Sequence, residues 1–160
     1  MGLGWDAKKT TKKGLFGGVK TVEKAIDLDA WAFLVGGDRV VDTVWYGHLR
    51  SKDGSVVHSG DNRTGKGDGD DEVITVDLTS VPAEVDRIVF LVHSFSREAF
   101  GEVANAVARA VDASSGQEMA RFALTEMGDA RGIIMAKVVR SGAGWRFEAR
   151  LPGMGQPDWS

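Results

Sequence analysis

The clearest pattern in the chain runs from Ile26 to Val35 (IDLDAWAFLV), where a period of two sets Ile26, Leu28, Ala30, Ala32 and Leu34 on one face and Asp27, Asp29, Trp31, Phe33 and Val35 on the other. This is the signature of a β-strand with two chemically different faces. The turn Gly36, Gly37, Asp38 leads into Arg39–Tyr46 (RVVDTVWY), rich in β-branched and aromatic residues, so a hairpin is predicted. Val73–Leu78 alternates again. Arg87–Phe95 (RIVFLVHSF) is nearly continuous in apolar residues and is expected to be a strand buried on both sides. Ser80–Glu84, with Pro82, suits a single helical turn. Glu102–Asp112 fits a helix, by its alanines and a Val103, Val107, Val111 stripe, and equally a strand, by alternation. Short β-like runs at Met119–Leu124, Gly132–Arg140 and Gly144–Arg150, separated by Ser, Gly and Asp turns, complete the pattern of an all-β chain. The expected architecture is a β-sandwich of two mostly antiparallel sheets with short helical turns, and an irregular end is expected for LPGMGQPDWS.

One stretch stands apart. Residues 8–24 (KKTTKKGLFGGVKTVEK) hold six lysines and one glutamate around three glycines, which predicts a flexible, solvated basic loop, with contact to an anionic partner as the lesser alternative. The chain as a whole carries a formal net charge of -3, so no broad attraction to nucleic acid or anionic lipid is expected. Zero cysteines exclude disulfides, thiolate metal sites and a cysteine nucleophile. No apolar run approaches the roughly 20 residues that cross a bilayer, and the opening residues lack the pattern of a secretory signal. A single soluble domain over residues 1–160, in the cytoplasm, is therefore expected. Glycine is in excess, with 21 of 160 residues, nearly twice the usual ~7%.

Much of that glycine lies in His58–Glu72 (HSGDNRTGKGDGDDE), where Asp61, Asp68, Asp70, Asp71 and Glu72 alternate with Gly60, Gly65, Gly67 and Gly69. Carboxylates packed this densely repel one another, by about 1 kcal/mol per close pair in water and about 4 at an effective dielectric of 20, so an ordered cluster recruits a cation or takes up protons. Glycine lets the backbone turn its carbonyl oxygens toward the same point, and carboxylate plus carbonyl oxygens are the ligands calcium prefers. The spacing is not that of an EF-hand: counting from Asp61, Glu72 falls at position 12, but Arg63, Gly65 and Lys66 occupy positions 3, 5 and 6. It is not a phosphate-binding P-loop either, since Gly67 follows Gly65–Lys66 where a Ser or Thr is required. A solvated acidic hairpin without a ligand is the alternative to a calcium loop.

These residues resemble the TerD family of tellurium-resistance and general stress proteins, which includes calcium-binding members. The resemblance rests on Gly2–Asp6 (GLGWD), Asp27–Ala30 (DLDA), Asp53–Val56 (DGSV), Gly60–Glu72 (GDNRTGKGDGDDE), Val76–Pro82 (VDLTSVP), Asp86–Phe90 (DRIVF), and Phe100, Gly101, Val103 and Asn105, in order along nearly the whole chain. It implies a β-sandwich in which the DLDA strand and the acidic loop form a site for one or two calcium ions. Its ligands would be Asp27, Asp29, Asp61, Asn62, Asp70, Asp71 and Glu72, with carbonyls of Gly67 or Gly69 and with Asp6 as a further candidate. It also implies a strand from about Ala106. The family usually carries β-structure ahead of GLGWD, and here the sequence begins at that motif, so the expectation is either a trimmed domain or a sheet edge that is exposed or filled by another chain.

The remaining candidates are weak. His48, His58 and His93 lie in different predicted elements without zinc spacing, and His58 alone neighbours the acidic loop. No G-x-S-x-G elbow or serine–histidine–acid set is present. Trp31, Trp45 and Trp145 are expected in strands, with Trp5 and Trp159 exposed near the ends. The expectation is a non-enzymatic, calcium-binding module of bacterial stress response that works through protein partners and not nucleic acid. The rivals are a metal-dependent hydrolase built on the same carboxylates and a calcium-stabilised assembly scaffold.

Overall fold

The computed structural model describes residues 1–13, 17–67 and 69–150. Its strands are β1 (Gly2–Gly4), β2 (Lys8–Lys13), β3 (Val19–Lys24), β4 (Leu28–Gly36), β5 (Arg39–Val44), β6 (Val56–His58), β7 (Glu72–Val76), β8 (Arg87–Ser94), β9 (Val107–Val111), β10 (Glu118–Ala123), β11 (Gly132–Ser141) and β12 (Gly144–Ala149). Two antiparallel five-stranded sheets form, in the orders β10-β9-β1-β7-β6 and β12-β11-β8-β4-β5, and β2 pairs with β3 as a separate ribbon. The expected all-β sandwich is what the chain adopts. Single 3-10 turns occur at Phe100–Glu102 and Leu124–Met127.

One shared core joins the sheets. Leu3, Ile74, Val56, Ala108 and Phe122 from the first meet Leu28, Ala30, Ala32, Leu34, Ile88, Phe90 and Val92 from the second. The apolar face predicted for Ile26–Leu34 is buried at every position, because alternate β4 side chains point between the layers. The hairpin β4–β5 forms as predicted, with a register shift between Leu34 and Val35. Val107–Val111 is a strand, paired on both sides by β1 and β10, so tertiary pairing overrides the helix propensity of its alanines.

Several expectations change. β8 buries one side only: Ile88, Phe90, Val92 and Ser94 face the core, while Arg87, Val89 and Leu91 are half-buried and His93 is exposed on the outer face. Ser80–Glu84 is a pair of turns, with Ser80 N–H donating to Asp77 O and Val85 N–H to Pro82 O. The Asp77 carboxylate accepts from the Thr79 and Ser80 hydroxyls, a local competitor to helix. Residues 8–24 are largely a β-hairpin in which Thr10 faces Val22 and Thr11 faces Thr21, β-branched pairs that sequence charge had masked; Gly14, Leu15 and Phe16 lie outside the described residues. Trp5 is 2% exposed, since its ring fills the core edge and its Nε1–H donates to Ile26 O at 2.8 Å. The tail LPGMGQPDWS, with Trp159, lies outside the described residues.

The motif Gly2–Gly4 is no edge: β1 runs down the middle of its sheet, between β7 and β9. Its glycines make room for the acidic loop. A β-carbon at Gly4 would lie 2.5 Å from Gly69 O, and one at Gly2 would lie 2.1 Å from Asp70 Oδ2.

Candidate metal centre

The acidic loop leaves β6 at His58 and returns into β7 at Glu72, and its course is set by its own polar side chains. Asn62 Oδ1 accepts from the N–H groups of Thr64 and Gly65, closing an Asx-type turn. Gly65 has φ +61 and packs against the Trp5 ring, where a β-carbon would be 2.4 Å from Cδ1, so this turn admits glycine alone. Thus the loop lies against β1 at Gly69 and Asp70 and against Trp5 at Gly65, and Asp71 N–H donates to Leu3 O at 2.8 Å.

Asp27, Asp29 and Asp61 each place a carboxylate oxygen such that all three lie within 4.8 Å of one another. β4 and its approach supply the first two, two residues apart on the face that alternation predicted, and the loop brings Asp61 to them. Asp29 is 1% exposed. Its Oδ2 and the Oδ1 of Asp27 are buried and have no hydrogen-bond partner among the described residues. Burial, and then the negative charges of Asp27, Glu72 and Asp61, push the Asp29 carboxyl up to about 7. Burial also raises Asp27, with Asp61 and Glu72 adding to the effect against Arg63. The Asp27 backbone is held in place from β8's end: its N–H donates to Ser96 Oγ at 3.0 Å and its carbonyl accepts from Phe95 N–H at 2.9 Å.

The other predicted ligands have different surroundings. Glu72 is buried behind the cluster, with Oε2 accepting from Ala30 N–H at 2.9 Å and Oε1 from Asn62 N–H at 3.2 Å. Gly60 N–H donates to His58 Nδ1 at 3.0 Å, so the proton sits on Nε2, which donates to Glu72 Oε2 at 3.2 Å. Asp71 accepts from Trp5 N–H at 2.9 Å and from Asn62 Nδ2 at 2.7 Å. Burial is the main reason that its carboxyl is raised. Asp70 turns to the other side of the loop, where Arg109 clasps it through Nε at 2.9 Å and Nη2 at 2.9 Å. Gly67 and Gly69 line a cleft on that side with Asp6, Asp70, Asn105 and Arg109; Asn105 Nδ2 donates to Asp6 Oδ2 at 2.7 Å. Asp68 lies outside the described residues.

The sequence thus brings Asp27, Asp29 and Asp61 together, sets Asn62, Asp71 and Glu72 around them as hydrogen-bonded supports, and separates Asp70, Gly67 and Gly69. Ser96, Trp5 and Arg109 were not singled out as participants. Arg109 carried a signal, since strand alternation in β9 sets it beside Val107 and Val111 on the half-exposed side. Ser96 carried none, because its role depends on how β4 and β8 pair.

The TerD domain family matches residues 1–156. The chain belongs to the TerD family. It is 48% identical over 150 residues to tellurium resistance protein TerZ of Serratia marcescens, covering 93% of this chain and 76% of that protein. It is 37% identical over 161 residues to stress response protein SCP2 of Bacillus subtilis (strain 168), covering 93% and 79%. In structure it is similar to a homologue of telluride resistance protein (TerD) from Streptomyces coelicolor A3(2), with a TM-score of 0.76 at 24% identity over 92% of this chain and 85% of the other, a likeness of fold. The TerD blocks of the sequence fall at the places that shape the loop: GLGWD beneath it, DLDA facing it, and GDNRTGKGDGDDE forming it.

Proposed function

We propose that this TerD-family chain is a calcium-binding module of the tellurite-resistance and stress-response type, acting in the cytoplasm without catalysis, through protein partners that its ordered loop engages. The observation that carries this is the convergence of Asp27, Asp29 and Asp61, two of which have buried oxygens without a hydrogen-bond partner among the described residues. Buried carboxylate oxygens without donors are costly unless a cation or proton satisfies them, and an all-oxygen set suits a hard divalent ion. Asp27, Asp29 and Asp61 would hold that ion, with Glu72 and Asp71 adding negative charge behind them. One ion is favoured over two, because Asp70 on the far side of the loop already has Arg109 as its cation.

A water-activating enzyme has less support. His58, the histidine nearest the cluster, uses one ring nitrogen to accept from Gly60 and the other to donate to Glu72, which leaves no lone pair for a general base. Calorimetric titration of metal-free protein with calcium, with magnesium as competitor, tests the proposal. Saturable heat that Asp29→Asn abolishes is expected; wild-type protein that gives no heat and no rise in melting temperature at millimolar calcium overturns it.

A further inference from the structure

The β2–β3 ribbon is the one described element that packs into neither sheet. None of its strand residues is buried. Its register sets Lys8 opposite Lys24 and Lys12 opposite Lys20 on one face, and Lys9 opposite Glu23 and Lys13 opposite Val19 on the other. Like charges directly across a ladder oppose its formation, so two lysine pairs in a ribbon without a core require compensation.

At the root the compensation is visible. Lys24 pairs with Glu98, which is itself buried, Lys8 pairs with Glu102 at 3.3 Å, and Glu23 lies 3.8 Å from Lys66 of the acidic loop. Farther out it stops: Lys12, Lys13 and Lys20 form no ion pair among the described residues, and beside them Val19 is 68% exposed. With six lysines against one glutamate in the ribbon strands and -3 for the whole chain, the rest of the protein is strongly acidic. Charge is therefore polarised, and an anionic surface attracts the outer ribbon while it repels the body.

We propose that the outer β2–β3 ribbon is a docking arm for an anionic lipid surface, with Lys12, Lys13 and Lys20 among the headgroups and Val19 at the boundary with the acyl chains. Duplex DNA is the other polyanion a β-ribbon fits, and lysine and threonine can contact it, but the two strands lack the arginine, asparagine and glutamine that complete base readout, and Val19, 68% exposed beside the lysines, has no counterpart in a phosphate backbone. Lysine point charges beside an exposed valine suit a diffuse headgroup layer with an apolar interior, where each lysine contributes roughly a fivefold gain in partitioning. This proposal is independent of the calcium site.

Co-sedimentation of the full chain with phosphatidylserine-containing vesicles, in chelator and with circular dichroism to confirm folding, tests it. Wild-type protein should bind these vesicles and not pure phosphatidylcholine, and lose binding at high salt. The triple variant Lys12→Gln, Lys13→Gln, Lys20→Gln should bind roughly 100-fold more weakly, and a charge-matched control, Lys52→Gln, Lys137→Gln, Arg146→Gln, should bind nearly as wild type. Absence of vesicle binding by folded wild-type protein, equal loss in both variants, or tighter binding to a short DNA duplex at matched phosphate concentration overturns the proposal.

Discussion

His58 Nε2 donates to Glu72 Oε2 at 3.2 Å, and both side chains are completely buried. The pair ties the strand entering the acidic loop to the strand leaving it, and Glu72 carries the tie across to the second sheet through Ala30 N–H. Removing the carboxylate leaves three donors unsatisfied. Glu72→Ala should therefore cost about 3–5 kcal/mol, and His58→Ala about 2–4 kcal/mol, from a lost donor plus a cavity. Urea midpoints with unchanged slopes are the measurement; a Glu72→Ala variant within about 0.5 kcal/mol of wild type contradicts this role.

Metal-free protein should lose stability as the pH rises toward neutrality. The Asp29 carboxyl stands at about 7 in the folded chain against 3.8 unfolded, so between these values the folded state holds a proton that the unfolded state has released. By linkage, the stabilisation is complete below the unfolded value and is lost as pH climbs through the folded one, on the order of a few kcal/mol. The raised carboxyls of Asp27 and Asp71 act with the same sign. Thermal melts in chelator from pH 4 to pH 8 should show the fall, and Asp29→Asn should flatten it.

Calcium should reverse that trend. At a hundredfold excess over Kd the bound ion adds about 2.7 kcal/mol, and Asp29→Asn should remove this gain while leaving the metal-free protein at neutral pH as stable as wild type or more so, because the amide ends the repulsion with Asp27 and Asp61. A variant that loses calcium binding and metal-free stability together points to a packing role for Asp29; parallel melts with and without calcium separate the two.

Gly4→Ala places a methyl 2.5 Å from the backbone oxygen of Gly69, and backbone yields less easily than a side chain. A loss of about 1–3 kcal/mol is expected, together with weaker calcium binding, since the loop that carries Asp61 is lifted from β1. Gly37→Ala is a useful contrast, because its φ of +57 introduces strain with no atom nearby and far from the loop, so stability should fall while calcium affinity holds.

The alternation of Ile26–Val35 by itself determined a strand, a buried face and the pairing of Asp27 with Asp29 on the other face, because a period of two is a local property of extended backbone. The family blocks likewise marked the loop that folds against it. Which carboxylates meet was decided by the tertiary structure alone: Asp61 and Asp70 are equivalent in composition, yet one converges on β4 and the other is taken by Arg109 from a strand 39 residues away. The ribbon shows the same division. Its charge was plain in the sequence and suggested a loop, but pairing between strands, and the anchoring of Lys8 and Lys24 by Glu102 and Glu98, depend on contacts between residues distant in the chain. Local pattern sets the direction of each side chain; only the closed sandwich sets what it meets there.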